Sequence, residues 1–419
     1  MRRVSLLGLA ICGVLLVSIP GAFGAAGGTA ADPGVKPTSI TIGGTFPLTG
    51  PASGYAPIPG AMKAYFSYIN ARRGPDGKRG VYGRQIVFKY YDDGYNPANS
   101  VQLTRKLVEE DKVFAVVGSL GTEVNEAIQP YLNSNKVPHI LNSSGASEWG
   151  TNFKKYPWSI GWQPDYIGEG RIYGQNIAKF GPTAKVGVIY QNDSYGKDYL
   201  TGFKQGLGSK RLSQIVAEVP FEVTSPTPAA EVAKLKASGA DTLVIFVTPK
   251  GTIQTFAYAK ALGWAPGVIY VNSVSATQAF MATAAKSAGD LVNNALSVTY
   301  LKDPASPAYA NDAAIKEYKA LLAKYAPSAS PTDQLNVYGF AKAETFVQAL
   351  YKAGKNPTRA SLMAALTSMN SDNRFLLAGV KTKTSSTDRF LISQNKLINW
   401  GGGVTGSWKE VSDLIESRP

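Results

Sequence analysis

The feature that most constrains this 419-residue chain is a repeated alternation of strand-length apolar runs with helical periods. The runs Ile40 to Phe46, Gln85 to Tyr91, Val113 to Val117 and Val137 to Leu141 are separated by amphipathic stretches at Ile58 to Ala71, Pro97 to Glu110 and Glu123 to Asn133. The rhythm resumes with runs at Lys185 to Tyr190, Ile215 to Phe221, Asp241 to Val247 and Val268 to Val271. Their helical partners are Ile167 to Phe180, Ser194 to Leu207, Ala229 to Ser238 and Thr252 to Leu262. Strands alternating with helices of this length require parallel sheets covered on both faces, so the fold class is α/β.

The places where the rhythm breaks are equally informative. Prolines and aromatics from Tyr156-Pro157-Trp158 to Gln163-Pro164 interrupt it, which predicts a crossing between two α/β units. After Leu296 to Tyr300, two long helical stretches, Ala308 to Tyr325 and Leu335 to Ala353, come with no strand between them. A set of βα units, a second set and a return fit two lobes joined by several crossovers. No short-period repeat is present, which disfavours solenoids and propellers.

The first thirty residues carry a different pattern. Arg2 and Arg3 precede an apolar run from Val4 to Ile19, Pro20 breaks it, and small residues follow to Ala31. This reads as a secretory signal peptide over residues 1–30, cut between Gly24 and Ala31. A retained membrane anchor is the competing reading, although the run is shorter than the roughly 20 residues a spanning helix needs. Lipid attachment at Cys12 is a third, disfavoured by the bulky Ile11 before it. Loss of the leader removes two arginines and the single cysteine, so the formal charge falls from +14 to +12. The basic pairs Lys78-Arg79, Lys154-Lys155 and Lys210-Arg211 are isolated and form no stripe, so nucleic acid is not an expected partner.

Residue types exclude much chemistry. One Cys and one His supply neither a disulfide framework nor a multi-ligand zinc site, and no cofactor or metal is expected. There is no phosphate-binding Gly-x-x-x-x-Gly-Lys loop, nucleophile elbow or His-Glu-x-x-His helix, and no enzyme is expected. His139 lies inside a strand-like run and reads as a core or edge histidine. Asp92-Asp93 reads as a turn and helix cap before Asn96-Pro97 in preference to a paired acid site. The informative segments are turns at strand ends, where open α/β sheets bind ligands. Gly118-Ser-Leu-Gly-Thr-Glu123 opens a helix, and Asn142-Ser-Ser-Gly-Ala-Ser147 is a second hydroxyl-rich turn of the same kind. Either is explained by a plain cap; together they point to one anion-receiving spot.

Several segments stand in the order and spacing of a known family: Gly43-Gly-Thr-Phe-Pro-Leu-Thr-Gly-Pro51, Ala71-Arg-Arg-Gly, Gly83-Arg-Gln-Ile, Tyr91-Asp-Asp-Gly-Tyr-Asn-Pro97, Val116-Val-Gly-Ser119 and Asn192-Asp-Ser-Tyr-Gly196. The chain resembles, from Thr38 to at least Gly354, the periplasmic leucine/isoleucine/valine-binding proteins, the substrate-binding components of branched-chain amino-acid ABC transporters. The resemblance implies a type I periplasmic-binding fold of two Rossmann-like lobes with three crossovers and a cleft that closes on a small solute. The expected division is lobe 1 over 37–158 and 291–378, and lobe 2 over 159–290 and 379–419. Matched by motif, the ligand carboxylate falls to Thr122, Gly145 and Ser147, and the cleft aromatics to Tyr55 and Tyr195. The implied partners are a small-molecule ligand and the permease subunits of a membrane transporter, contacted peripherally by an exported, periplasmic or extracytoplasmic protein expected to be a monomer.

One departure from the family matters. The amino-acid binders place an acid after the fourth strand of the second lobe to pair with the ligand ammonium, whereas Val271-Asn-Ser-Val-Ser275 has none and Ser273 is the nearest match. Thr248-Pro249 stands where those binders have an aromatic. An unpaired ammonium in a dry cleft costs several kcal/mol, so the expected ligand is a carboxylate-bearing solute, an amino acid or an aromatic or aliphatic acid. Thr122, Gly145 and Ser147 are expected to hold the carboxylate while hinge rotation brings Tyr195 and Ser273 over it. A sensor of the same fold, feeding a signalling receptor, is the alternative.

Overall fold

The computed structural model describes residues 31–418; the expected leader, with Cys12, lies outside the described residues. Chain order begins with β1 (Ser39–Phe46), α1 (Pro57–Ala71), β2 (Gln85–Asp92), α2 (Pro97–Glu109), β3 (Val116–Val117), α3 (Thr122–Ser134), β4 (His139–Asn142), α4 (Glu148–Thr151) and β5 (Ser159–Gly161). These strands form one parallel sheet in the order β2-β1-β3-β4-β5. Local chemistry starts the helices where the pattern predicts. Asn96 caps α2 by accepting from the amide of Ala98 at 2.9 Å, with Pro97 at the first helical position, where its missing N–H costs nothing. The Asp92-Asp93 pair instead ties the neighbouring turns: Asp92 accepts from the amides of Leu48, Thr49 and Gly94, and Asp93 from the Tyr95 amide and the Ser100 hydroxyl.

The second lobe follows with α5 (Tyr166–Phe180), β6 (Val186–Gln191), α6 (Ser194–Leu207), β7 (Ile215–Phe221), α7 (Ala229–Ala237), β8 (Thr242–Phe246), α8 (Pro249–Ala261), β9 (Val268–Val271), α9 (Gln278–Ala288) and β10 (Ala295–Thr299). The chain then returns through α10 (Ala313–Tyr325), α11 (Gln334–Ala353), α12 (Arg359–Leu366) and the ribbon β11 (Asn370–Asp372) and β12 (Lys381–Lys383). It ends on β13 (Gln394–Gly401), β14 (Ser407–Glu410) and β15 (Ile415–Glu416), which join the second sheet antiparallel to β10 and to each other. The path of that sheet is β14-β13-β10-β9-β8-β6-β7.

The crossings come later than the expected lobe boundaries. β5 pairs with β4, so the first lobe keeps residues to 161, beyond 158. β10 pairs with β9 and β13, so the return begins after 299, not at 291. β12 still pairs with β11 beside the first lobe, and the second sheet is rejoined at 394, not 379. The physical reason is that Ser159-Ile-Gly is too short for any periodicity, and Leu296 to Tyr300 reads equally well as the last strand of one lobe or the first of the next.

Packing explains the long helical stretches. α11 is a central helix of the first lobe, with Phe340 and Phe346 against Tyr65 and Phe66 of α1 and nearly every side chain buried. The second sheet has a core on each face, one around Phe256 and Trp400, the other around Tyr173 and Phe203. On the latter face α5 and α6 meet backbone to backbone. A Cβ at Gly174 would stand 2.2 Å from the Phe203 carbonyl, and one at Gly202 would stand 1.9 Å from the Ile167 carbonyl. Only glycine permits that approach.

Candidate functional site

The cleft between the lobes holds a cavity of about 580 Å³, within the range of small-molecule sites and lined mainly by apolar and aromatic groups. One wall is the turn after β3. Gly118 and Gly121 take positive φ there, and the turn is pinned from behind by Asn125, whose amide group donates to the carbonyls of Ser119 at 2.8 Å and Gly121 at 2.6 Å. The orientation of Asn125 is fixed in turn by His139, whose Nε2 lies 2.7 Å from the Asn125 Oδ1, while Nδ1 lies 3.2 Å from the Ser159 hydroxyl. Since the Asn125 amide group faces two carbonyls, its oxygen must accept, so Nε2 carries the proton and Nδ1 accepts from Ser159. Burial pulls this imidazole down to about 3. His139 is thus a core residue that shapes the turn from beneath, as its position in an apolar run predicts.

Thr122, Tyr55, Tyr195 and Ser273 all line the cavity. Gly145 and Ser147 do not. A left-handed residue at Leu141 and a register shift between Ile140 and Asn142 advance the second turn, so Ser143 lines the cavity and the Ser144 hydroxyl meets that of Thr122 at 2.7 Å. Gly145 is instead packed beneath the first crossover: its carbonyl accepts from the Tyr166 amide at 2.7 Å, and a Cβ there would stand 2.3 Å from the Pro164 carbonyl. Ser147 precedes α4, and its amide donates to Asp198 of α6 at 2.7 Å, joining the two lobes outside the cavity.

The aromatic wall draws on both lobes. Asp193 caps α6, accepting from the Gly196 amide at 3.0 Å, and so sets Tyr195 at the helix mouth. The Tyr195 hydroxyl is buried with no partner, and its ring stands edge-on to Tyr166 at 5.1 Å. Tyr55 reaches across from the first lobe: its hydroxyl donates to the Val274 carbonyl at 3.1 Å, and its ring meets Phe280 edge-on at 6.2 Å. Burial holds both phenols well above their ordinary range.

An acid does stand beside Ser273, contributed by another element. Glu169 of α5 is 1% exposed and accepts from the Ser273 amide at 2.7 Å, the Ser273 hydroxyl at 2.6 Å and the Tyr173 hydroxyl at 2.7 Å. Burial raises its carboxyl, and those hydrogen bonds pull the other way. Both oxygens are therefore occupied by the protein. Thr248 also lines the cavity, its hydroxyl donating to Gln191 at 3.1 Å. On the crossover after β10, Asp303 accepts from the Ala305 amide through one oxygen, while the other is buried without a partner, and burial pushes the carboxyl up to about 6.

Sequence reasoning misses Ser143, Tyr166, Glu169, Asp303 and Tyr338 as cavity or supporting residues. A signal existed for Glu169, the one acid in Tyr166-Ile-Gly-Glu-Gly-Arg-Ile-Tyr173, a helix whose neighbouring glycines and aromatics mark a buried face. The turn shift that selects Ser143 leaves no mark in the spacing.

Two α/β lobes, three crossovers and an interlobe cavity lined by hydroxyls and tyrosines define a two-lobed binding protein. The family model described as periplasmic binding protein matches residues 39–403, and the chain belongs to that family, in keeping with its resemblance to the leucine/isoleucine/valine-binding proteins. It is 25% identical over 334 residues to a Leu/Ile/Val-binding protein homolog 3 of Brucella melitensis, covering 78% of this chain and 83% of that one. Among solved structures, a fatty acid ABC transporter substrate-binding protein from Thermomonospora curvata superposes with TM-score 0.74 at 22% identity, covering 92% of this chain and 95% of that one. A solute binding protein of an ABC transporter from Rhodopseudomonas palustris BisB5, in complex with 3,4-dihydroxy benzoic acid, superposes with TM-score 0.72 at 20% identity, covering 90% and 97%. These likenesses establish the type I fold. The family comprises extracytoplasmic substrate-binding proteins, not enzymes. Among the described residues no helix is long and apolar enough to cross a membrane.

Proposed function

We propose that this protein is the solute-binding component of an ABC importer, taking a carboxylate-bearing molecule with an apolar or aromatic body and presenting it to a membrane permease. The observation that carries the ligand class is the state of Glu169. In a cleft with aromatic walls, Glu169 does not line the cavity, and its oxygens accept three hydrogen bonds from Ser273 and Tyr173, so it is not presented to an α-ammonium beside Ser273. At the turns after β3 and β4, the Thr122 hydroxyl, paired with Ser144, and the Ser143 hydroxyl, which donates to the Gly118 carbonyl at 2.8 Å in the empty cleft, can turn their protons to a carboxylate. Tyr166 and Tyr195 offer ring surface to its body. The unpartnered oxygen of Asp303 suits a hydroxyl on the ligand, as a hydroxylated acid would carry. That related folds are named for a fatty acid and found with 3,4-dihydroxy benzoic acid supports the same class. Closure of the lobes over the ligand would create the form a permease distinguishes from the empty one.

A thermal-shift panel of aromatic acids, fatty acids and the branched-chain amino acids tests this directly, because a ligand at a hundred times its Kd stabilises the folded state by about 2.7 kcal/mol. Aromatic or fatty acids should raise the melting temperature, and Thr122→Ala combined with Ser143→Ala should abolish the rise. A response to leucine alone, or an undiminished response in the double variant, would refute the ligand class. Uptake of the responding acid by host cells with and without this gene tests delivery.

A further inference from the structure

Behind the carboxylate end of the cavity lies a lysine that the functional reading does not use. Lys342 of α11 is fully buried, and its Nζ donates to the Ser143 hydroxyl and to the Tyr338 hydroxyl, the latter at 3.0 Å. Both hydroxyls line the cavity. Among the described residues no carboxylate lies within ion-pair distance of it. The groups packed around it are Gly118 and Met62 on one side, Ser143 at the end of β4, Trp162 in the first crossover and Tyr338 on its own helix. Of these only Tyr338 titrates, and burial holds that phenol above its ordinary range. A neutral amine has two N–H groups, and two acceptors are present. An ammonium has three, and the remaining surroundings are ring faces: the Tyr338 centroid at 4.3 Å and the Trp162 centroid at 5.5 Å. Burial alone drives the amine well below its ordinary value.

We propose that Lys342 is the charge partner of the ligand's anionic group, neutral in the empty cavity and protonated when a carboxylate settles against Ser143 and Tyr338. This rests on the functional reading given above. One proton passes from solvent to the amine for each carboxylate bound at neutral pH, so the closed cleft holds an ion pair with no net charge. The two hydroxyls relay the interaction: each accepts from Lys342, Ser143 gives its own proton to the Gly118 carbonyl at 2.8 Å in the empty cavity and turns it to the carboxylate when one binds, and Tyr338 donates to Gln163 at 2.7 Å, whose amide group donates to Tyr166 at 3.1 Å. That chain of four side chains runs from the first lobe through the crossover into α5, so the charge partner also touches the segment that bends on closure. Lys342 selects acids over neutral isosteres by this means, since a neutral head group gives the amine no reason to charge.

The test compares an acid that binds in the panel with its primary amide, in the wild type and in Lys342→Met, which keeps the apolar stem. Affinity for the acid should fall by at least about tenfold while that for the amide changes little. Wild-type calorimetry in two buffers of different ionisation enthalpy should show uptake of about one proton for the acid and about none for the amide. Equal losses for acid and amide in Lys342→Met, or no proton uptake, would overturn the proposal. Should the methionine variant melt far below the wild type, the wild-type lysine is read directly with 13Cε-lysine labelling, its resonance assigned by nuclear Overhauser contacts to the Tyr338 ring, whose centroid lies 4.3 Å from Nζ. Its titration midpoint should lie below neutral pH, against the ordinary lysine value of about 10.4, and rise when sodium formate is added. A midpoint above neutral pH, or one unmoved by formate, overturns the proposal. This arm needs only formate, so it decides the lysine even if every acid in the panel fails, which is the result that would instead defeat the functional reading.

Discussion

Protonation of His139 should undo the native protein from beneath the binding turn. In the native state the ring has no room for a second proton, because Nδ1 accepts from Ser159, whose own oxygen accepts from the Asn133 amide group at 2.8 Å. The buried imidazole is held down to about 3, against 6.5 when free, so the unfolded chain binds a proton that the native chain refuses throughout that interval. Stability from this residue is fully present above pH 6.5 and is lost as pH falls towards 3, at about 1.4 kcal/mol per pH unit. By pH 4.5 the loss is about 2.7 kcal/mol, a large fraction of the 5–15 kcal/mol that separates most folded proteins from unfolding. Buried acids act in the opposite sense: Asp165 and Glu148, raised to about 7, and Asp303, raised to about 6, relieve a penalty as they protonate in acid. The wild-type profile alone therefore mixes the two, and the difference between wild type and His139→Gln isolates the histidine. Glutamine can still donate to Asn125 but cannot ionise. Urea unfolding from pH 7.5 to 4.5 should show the variant less stable at the top of the range and the gap closing by about 2.7 kcal/mol at the bottom. Parallel profiles would refute the assignment of a neutral, Nε2-protonated His139.

Three further outcomes follow from particular contacts. Glu169→Gln replaces one acceptor oxygen with a donor facing Ser273 or Tyr173, so it should lower stability by about 1–3 kcal/mol and weaken ligand binding, read by thermal melts with and without ligand. Gly202→Ala drives a methyl into the Ile167 carbonyl and should cost about 1–3 kcal/mol, a fall of several degrees by circular dichroism; an unchanged melt would refute the close α5–α6 contact. Tyr55→Phe removes the hydroxyl that donates to Val274 across the cleft while keeping the ring against Phe280. It should leave the melt of the empty protein nearly unchanged and raise the ligand Kd by about threefold to tenfold, measured by calorimetry.

The α/β rhythm is legible in the sequence because each buried strand is a run of apolar residues and each helix shows only one face to the core. Ile40 to Phe46 and Ser194 to Leu207 coincide with β1 and α6 to within a residue. What escapes is set by contacts between distant segments. β5 has three residues and no period of its own; it exists because Ser159 and Ile160 find His139 and Ile140 beside them. The placement of Ser143 in the cavity, with Gly145 and Ser147 outside it, depends on the left-handed Leu141, and a β-branched or aliphatic run gives no warning of positive φ. The family pattern places an acid in the loop that carries Ser273, whereas the acid beside this serine arrives from α5, 104 positions earlier. Lys342 sits in Val337-Tyr-Gly-Phe-Ala-Lys-Ala343, where one charge in a buried helix is visible but its neighbours are not.

The crossovers explain why the cavity and the bending point share one place. Trp162 of the first crossover and Tyr300 of the second lie 6.1 Å apart, Trp162 stands edge-on to Tyr338 at 4.9 Å, and its indole N–H donates to Thr345 of α11 at 3.0 Å. Two chain crossings are thus fastened to a single helix of the first lobe, and rotation of the second lobe must pivot about that cluster. In the conformation described, Tyr55 to Val274, Ser147 to Asp198 and Tyr309 to Glu410 bridge the lobes away from the pivot. Each such bond contributes about 0.5–1.5 kcal/mol net, or up to 3 kcal/mol where a carboxylate accepts, so the three together hold the lobes by a few kcal/mol. That is comparable with what a ligand at a hundred times its Kd supplies, about 2.7 kcal/mol. Contacts of this size leave the open and closed forms close enough in free energy for a bound acid to decide between them, whereas a broad apolar lobe interface would keep the cleft shut with or without ligand.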